Sequence, residues 1–344
     1  MNERRGPFRG NRPGRGRPPM PPGPRRGPVR RPNRDALEPV PDGMIEEWLL
    51  EARELAEKGA IRTAMEKAGE AVGLDTERPE GYLLLGELNL LDGDPDEALR
   101  TFTAARAKAA KSRPDFLQEP AEVRILAATG EGHALRVLGR PREAAEAYAA
   151  ALAEDPSDPL GLAAPCCESW LLAGMPERAV AFIPPIEGAT PDAHLVAAFA
   201  SLRRGDRSAF VVRARLALLG NLYLLSALVS GETPDLGLVH GIEDAGPEAA
   251  LRFAERLKPI VEADPFLLDA LAAVASAPGP ADDMERFRAA AARLMREPDP
   301  AARVVLMTEL DRLRDPIRIQ STTQDVLSDW DFTDSTHGGG SVDV

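Results

Sequence analysis

The sequence predicts an all-α fold in which paired helices stack side by side as a solenoid, and three observations lead to that prediction. From Met44 onward, stretches rich in Ala, Leu, Glu and Arg place apolar residues three and four positions apart, the spacing of one helix face. Gly or Pro interrupts these stretches every 12 to 18 residues, where helices are expected to begin and end. No stretch alternates apolar and polar residues with Val, Ile and Thr enrichment, so a β-sheet is not expected.

Before these helices, the chain has a basic segment that is not expected to fold. Residues 1–34 contain eleven Arg, nine Pro and six Gly and only one acid, Glu3, which gives a local charge of +10. Because the whole chain of 344 residues carries −13, the remainder carries −23. With so little apolar surface to bury, residues 1–42 are predicted to be a disordered tail.

The guanidinium groups of this tail match the geometry of phosphate, so a nucleic acid or another polyanion is one predicted partner. The arginines assigned to that contact are Arg9, Arg12, Arg15, Arg17, Arg25, Arg26, Arg30 and Arg31. Within residues 1–34 only Phe8 is aromatic, whereas single-strand binders usually stack bases on several rings. Two alternatives stay open: the tail is a solubilising extension, or it lies on the acidic body of its own chain at low salt.

A recurring turn separates the first helices. It consists of a Gly followed five residues later by Ala, at Gly59, Gly93, Gly139 and Gly174, with spacings of 34, 46 and 35 residues. The Gly is expected to end one helix in the left-handed conformation, and in three of the four turns a Pro begins the next helix. The Ala is small enough for close contact between antiparallel helices. The spacing of 46 is a unit of 34 with a twelve-residue insertion at about 111–124, either a lengthened helix or a loop.

Small and large residues also recur in register. Unit one has Trp48, Leu55, Ala64 and Ala71; unit two has Tyr82, Leu85, Gly86, Ala98, Phe102 and Ala105; unit three has Gly132, Ala144, Tyr148, Ala151 and Pro156; unit four has Trp170, Ala179 and Pro191. With its period of 34, this pattern resembles the tetratricopeptide repeat family, in particular bacterial scaffold proteins of that type. The resemblance covers residues 43–193, as units 45–78, 79–112, 125–158 and 160–193. It implies a right-handed superhelical solenoid.

The resemblance also implies a binding surface. In the family, the first helix of each unit lines a concave groove, with the second, fifth, ninth and twelfth positions facing inward. Carried over, these positions give a partner-binding groove that contains Leu49, Arg53, Leu83, Glu87, Leu90, His133, Arg136 and Glu168. The three leucines are expected to form an apolar strip that suits a peptide or an amphipathic helix. Relatives that clamp a carboxylate use Lys and Asn where this chain has Leu49 and Arg53, so that clamp is not carried over.

Beyond residue 193 the repeat weakens while the helical pattern continues. Helices are predicted at 191–204, 206–219, 221–230, 247–263, 266–277, 280–297 and 299–314. Residues 194–314 are expected to form degenerate units, 232–264 and 265–298 among them, with 299–314 as a polar cap. Residues 315–344 are predicted to be a flexible acidic tail. Its segment 325–334, which contains Trp330 and Phe332, either folds on a partner, docks on the solenoid or stays frayed.

The sequence contains no pattern that points to catalysis, a metal or a cofactor. The four histidines are dispersed, and there is no phosphate-binding Gly-rich loop or nucleophile elbow. Adjacent Cys166 and Cys167 are predicted to be buried free thiols, and Asp282 and Asp283 to stabilise a helix N-terminus.

No secretory signal or membrane span is evident, which favours the cytoplasm. We therefore expect a non-enzymatic scaffold or adaptor that binds peptide or helical segments of another protein. The alternative is a nucleic-acid-associated protein that its Arg-rich tail tethers to RNA or DNA.

Overall fold

The structure is a computed structural model that describes residues 42–111, 118–238 and 245–328. The chain divides into two units after Pro41, and all of these residues belong to the second unit, Asp42–Val344. Within the described part every regular element is a helix, and consecutive helices pack against each other. This confirms the predicted all-α helical-repeat solenoid. Residues 1–41 of the predicted basic tail lie outside the described residues.

Six helices form the first three pairs: α1 (Asp42–Glu57), α2 (Ile61–Leu74), α3 (Pro79–Asp92), α4 (Pro95–Ala109), α5 (Pro120–Val137) and α6 (Pro141–Glu154). The turns within the pairs have the predicted conformation, because Gly59, Gly93 and Gly139 have φ of 78°, 85° and 68°. The Asp94 carboxylate accepts a hydrogen bond from the Glu97 amide at 3.0 Å and so caps α4. These helix boundaries follow from local turn chemistry.

The third pair begins earlier than the sequence predicts. α5 starts at Pro120, which can begin a helix because its missing N–H needs no partner there, rather than at Ile125. The predicted insertion therefore contributes its last residues to α5. Its residues 112–117 lie outside the described part of the chain.

Close packing within the pairs, and between the second and third pairs, depends on small residues that face aromatic rings. A Cβ at Gly86 or Gly130 would lie 2.6 Å or 2.4 Å from the Phe102 ring, and one at Gly132 would lie 2.5 Å from the Tyr148 ring. Phe102 and Tyr148 are buried in the cores that these contacts create. The alanines of the recurring turn are fully buried as well (Ala64, Ala98, Ala144 and Ala179). The predicted packing of large residues against small ones is confirmed.

The fourth pair departs from the pattern. Its first helix is α7 (Ala163–Leu172), but its second, α8 (Pro176–Ala179), has four residues and continues only as a 3₁₀ turn, Val180–Phe182. Pro184 and Pro185 follow after Ile183, and their missing N–H groups prevent further helical turns. The predicted unit 160–193 therefore lacks about half of its second helix.

The next helices lie close to their predicted positions: α9 (Pro191–Arg203), α10 (Arg207–Gly220), α11 (Leu224–Ser230), α12 (Pro247–Ala263), α13 (Phe266–Ser276), α14 (Pro278–Arg296) and α15 (Pro300–Leu313). α10 is central, since it contacts α9, α13, α14 and the last two helices of the described chain. The predicted unit 232–264 is wrong in one respect: α12 pairs with α11, which precedes residue 232. Between α11 and α12, residues 232–238 are not helical, and residues 239–244 lie outside the described residues.

The predicted boundary of the C-terminal tail is also wrong. Residues 316–328 form α16 (Pro316–Ser321) and α17 (Thr323–Ser328), and both pack against α10. Ile319 is fully buried with Val212, Leu216 and Leu219, and Val326 enters the main core. These apolar contacts outweigh the polar composition that suggested a flexible tail, and α15 is consequently not the last helix. Residues 329–344 lie outside the described part.

Asp283 holds this C-terminal segment in place. Its buried carboxylate accepts hydrogen bonds from Arg215 Nη2 at 2.8 Å and from Arg318 Nη1 and Nη2 at 2.9 Å and 2.5 Å. Burial acts to raise the pKa of Asp283, but the two guanidinium groups outweigh it and hold that pKa below its ordinary value. The predicted role at a helix N-terminus is wrong for both Asp282 and Asp283, because α14 begins at Pro278 and neither residue lies in its first turn.

Among the described helices, no single one is long and apolar enough to cross a membrane, although α10 and α11, bent by 99°, would reach that length together.

Candidate functional site

The predicted groove residues lie on the first helices of the four N-terminal pairs. α1 contacts α3 and α3 contacts α5, and an ion pair joins α5 to α7. We call the surface that α1, α3, α5 and α7 form the first-helix face. Its helices are fixed by packing on both neighbours, so side chains at equivalent positions form rows across the face.

The apolar strip predicted for this face is not an open surface. Leu49 and Leu83 are 6% and 4% exposed, and Leu90 is half-buried against the cluster that contains Leu83 and Phe102. Leu83 is buried because α4 and α5 approach α3 closely enough to enclose its side chain. Of the predicted apolar strip, Leu49 and Leu83 are therefore enclosed by the fold, and only Leu90 remains partly accessible.

Three predicted residues are exposed, and they occupy the same row. Arg53, Glu87 and His133 lie on α1, α3 and α5 at the ninth position of their units. Partial desolvation raises the pKa of Glu87, while the charge of Arg53 on the adjacent helix acts to lower it. The row thus places a cation, an anion and an imidazole on three successive helices.

The imidazole of His133 is oriented by Tyr148. The tyrosine hydroxyl lies 3.0 Å from His133 Nδ1, and the two rings meet edge to face with their centroids 5.5 Å apart. Burial raises the pKa of Tyr148 to about 12, so this hydroxyl stays protonated and can donate. Desolvation, followed by the charge of Arg136, holds the pKa of His133 below its ordinary value. At neutral pH the neutral ring accepts a hydrogen bond from the tyrosine hydroxyl at Nδ1 and keeps Nε2–H as its donor.

The other two predicted residues belong to a buried charge network. Glu168 is 2% exposed and forms ion pairs with Arg136 at 2.5 Å and with Arg256 at 3.0 Å. Arg256 also pairs with Asp192, so the network joins α5, α7, α9 and α12. Burial raises the pKa of Glu168, against the opposing effect of the two arginines. We call these four residues the Glu168 network.

Glu168 is thus a structural carboxylate rather than a free contact for a partner. A buried carboxylate between two guanidinium groups ties neighbouring helices together, and its charge is already compensated. Sequence reasoning missed Asp192 and Arg256. Arg256 lies 88 positions beyond Glu168, outside the four predicted units, and no local spacing connects the two.

The predicted free thiols are confirmed, and both are buried. Burial raises the pKa of Cys166 to about 12 and raises that of Cys167 as well, the opposite of what activates a thiol as a nucleophile. His194 is buried too. Burial lowers its pKa to about 4, with a smaller contribution from the charge of Arg213, whose Nη1 lies 3.2 Å from its Nδ1.

Within the described residues, no group of three His, Cys, Asp or Glu side chains is placed to hold a metal ion. The eight tail arginines predicted to contact a polyanion lie outside the described residues. No family model matches the sequence, and no curated protein matches it significantly.

Proposed function

We propose that this chain is a non-enzymatic interaction scaffold of the tetratricopeptide type, whose first-helix face binds an extended or helical segment of another protein. The observation that carries the proposal is the exposed row Arg53, Glu87 and His133, held at equivalent positions on three helices that pack side by side. Rigid helices that present aligned polar side chains are suited to recognising a peptide, because little order has to be gained on binding.

The row sets the length and the charge order of the ligand. Neighbouring packed helices are about 8–10 Å apart, so the row spans roughly 20 Å, the length of about six extended residues. A ligand would place an acid near Arg53, a base near Glu87 and an acceptor near His133 Nε2–H. Half-buried Leu90 offers one apolar contact beside the row. Charge order, rather than a leucine strip, therefore gives this face its selectivity.

Co-purification with quantitative mass spectrometry tests the proposal. The triple variant Arg53→Glu, Glu87→Lys, His133→Ala should lose a subset of the proteins that the unchanged chain retains. Because all three side chains are exposed, the fold is expected to survive. The matched control is Arg142→Glu with Glu146→Lys, which reverses an exposed ion pair on α6 and keeps its opposite charges together. Retention of every partner by the triple variant would overturn the proposal.

The charge distribution favours a second candidate, association with RNA or DNA through residues 1–34 and their charge of +10. Binding of a single-stranded oligonucleotide should weaken steeply between about 50 and 200 mM salt, because arginine contacts release counterions. It should also be lost when residues 1–34 are deleted. Equal affinity of the full-length and the shortened chain would exclude this role for the tail.

A further inference from the structure

The fourth helix pair leaves a space in the stack. α2, α6 and α10 each have 14 residues, whereas α8 and its 3₁₀ turn together have seven, four in α8 and three in the turn. About seven residues of a full second helix are therefore absent. At 1.5 Å per residue they correspond to about 10 Å, or two helical turns.

A groove lies where those two turns would pack. A second helix runs antiparallel to its first helix, so the end of a full-length α8 would reach the beginning of α7 and the beginning of α9, beside the end of α6. Residues from these three helix ends line a groove of about 720 Å³, and the chain from Ala181 to Thr190 forms its other wall. Two turns of a helix about 10 Å wide occupy roughly 800 Å³, which is close to the volume of the groove. We call it the α8 groove.

Its lining is apolar with acidic groups and no base. Leu152, Leu160, Phe182 and Ile183 contribute apolar surface, and Leu160 is 48% exposed. The acids are Asp158, which caps α7 through the amides of Leu162 and Ala163, and exposed Glu187. None of the described residues that line the groove is Lys, Arg or His. An occupant with apolar residues on one face and basic residues beside them would complement both features.

We propose that the α8 groove docks about two turns of an amphipathic, basic helix from a partner protein, which completes the fourth helix pair. The segments of this chain outside the described residues suit the site poorly. Residues 1–34 contain nine Pro, which oppose a helix, and residues 329–344 contain four Asp and no Lys or Arg, which the acidic lining would repel. The proposal does not depend on the first-helix face.

Fluorescence anisotropy with synthetic helices tests it on the full-length chain. The probe is a labelled peptide of about 15 residues with leucines at i, i+3, i+4 and i+7 and lysines beside them, and a scrambled peptide of identical composition controls for charge alone. The ordered peptide should bind at least about tenfold tighter than the scrambled one. Leu160→Ser should remove most of that preference, and Glu187→Lys should weaken binding about fivefold.

Two matched substitutions locate the site. Leu91→Ser removes another exposed leucine, on α3, and Glu177→Lys makes the same charge reversal outside the groove lining; neither should change binding. Equal binding of the ordered and scrambled peptides, or binding that Leu160→Ser leaves unchanged, would overturn the proposal. Tight binding that appears only after residues 1–41 are deleted would assign the groove to the chain's own tail. A dimer that Leu160→Ser dissociates would assign it to a second copy, and either result would also overturn the proposal.

Discussion

Replacing Asp283 by Asn should weaken the attachment of the C-terminal helices α16 and α17, so that they open more often, while leaving the N-terminal pairs intact. Asp283 is 4% exposed, and its carboxylate pairs with Arg215, which is 2% exposed, and with Arg318. Removing one partner of a buried ion pair costs about 3–5 kcal/mol, because the remaining charge stays desolvated. We expect about 3 kcal/mol, the lower limit, because Arg215 keeps its hydrogen bonds to the Ile319 carbonyl at 3.2 Å and the Thr322 hydroxyl at 2.7 Å.

Hydrogen exchange read by mass spectrometry provides the assay. A loss of 3 kcal/mol corresponds to exchange that is faster by on the order of 100-fold, confined to residues 316–328 and the facing part of α10. Asp282→Asn is the matched control, since Asp282 is exposed and should change exchange by less than about twofold. Equal and small effects of the two substitutions would show that the ion pairs of Asp283 do not hold α16 and α17 in place.

Three further predictions follow from buried groups. Gly130→Ala should destabilise the chain by about 2 kcal/mol, because the new Cβ would lie 2.4 Å from the Phe102 ring. Gly69→Ala should stabilise the chain slightly, because its new Cβ would meet no atom within 4 Å and Ala favours a helix. Urea unfolding of the two variants measures both free energies. His194 has a folded pKa of about 4 against about 6.5 when unfolded, so the stability it contributes above pH 6.5 should decrease by about 3 kcal/mol as the pH falls through both values. An NMR titration of His194 with a midpoint near 6.5 would contradict this. The two adjacent thiols should resist a thiol reagent in the native chain and react with it in denaturant; rapid native labelling would show that they are accessible.

The helix boundaries at the recurring turns could be predicted because local chemistry determines them. Gly93, Asp94 and Pro95 form one contiguous stretch in which a left-handed Gly ends a helix, a carboxylate caps the next and a Pro begins it. The short α8 was also open to prediction, since Pro184 and Pro185 follow its start by eight and nine residues. The position of α8 in a predicted repeat unit favoured a helix of full length, but the two prolines end it early.

Contacts between distant segments could not be predicted in the same way. Glu168 has a structural role because Arg256 of α12 forms an ion pair with it. Asp283 has one because Arg318 of α16 forms an ion pair with it. A single sequence shows neither pairing, since both depend on how the helices stack. Leu83 illustrates the same limit within a predicted repeat unit: a position that faces a groove in the tetratricopeptide repeats that the sequence resembles is enclosed here by the packing of α3 with its neighbours.

If the first-helix face contacts partner proteins, as we propose, site-specific photo-crosslinking will capture them on it. A benzophenone amino acid in place of Glu87 samples the row, and the same amino acid in place of Glu146 samples an exposed position on α6. Adducts with partner proteins should form from position 87, decrease when Arg53 is changed to Glu, and be absent from position 146. Identical adducts from both positions, or none from position 87, would contradict the assignment of this face as the binding surface.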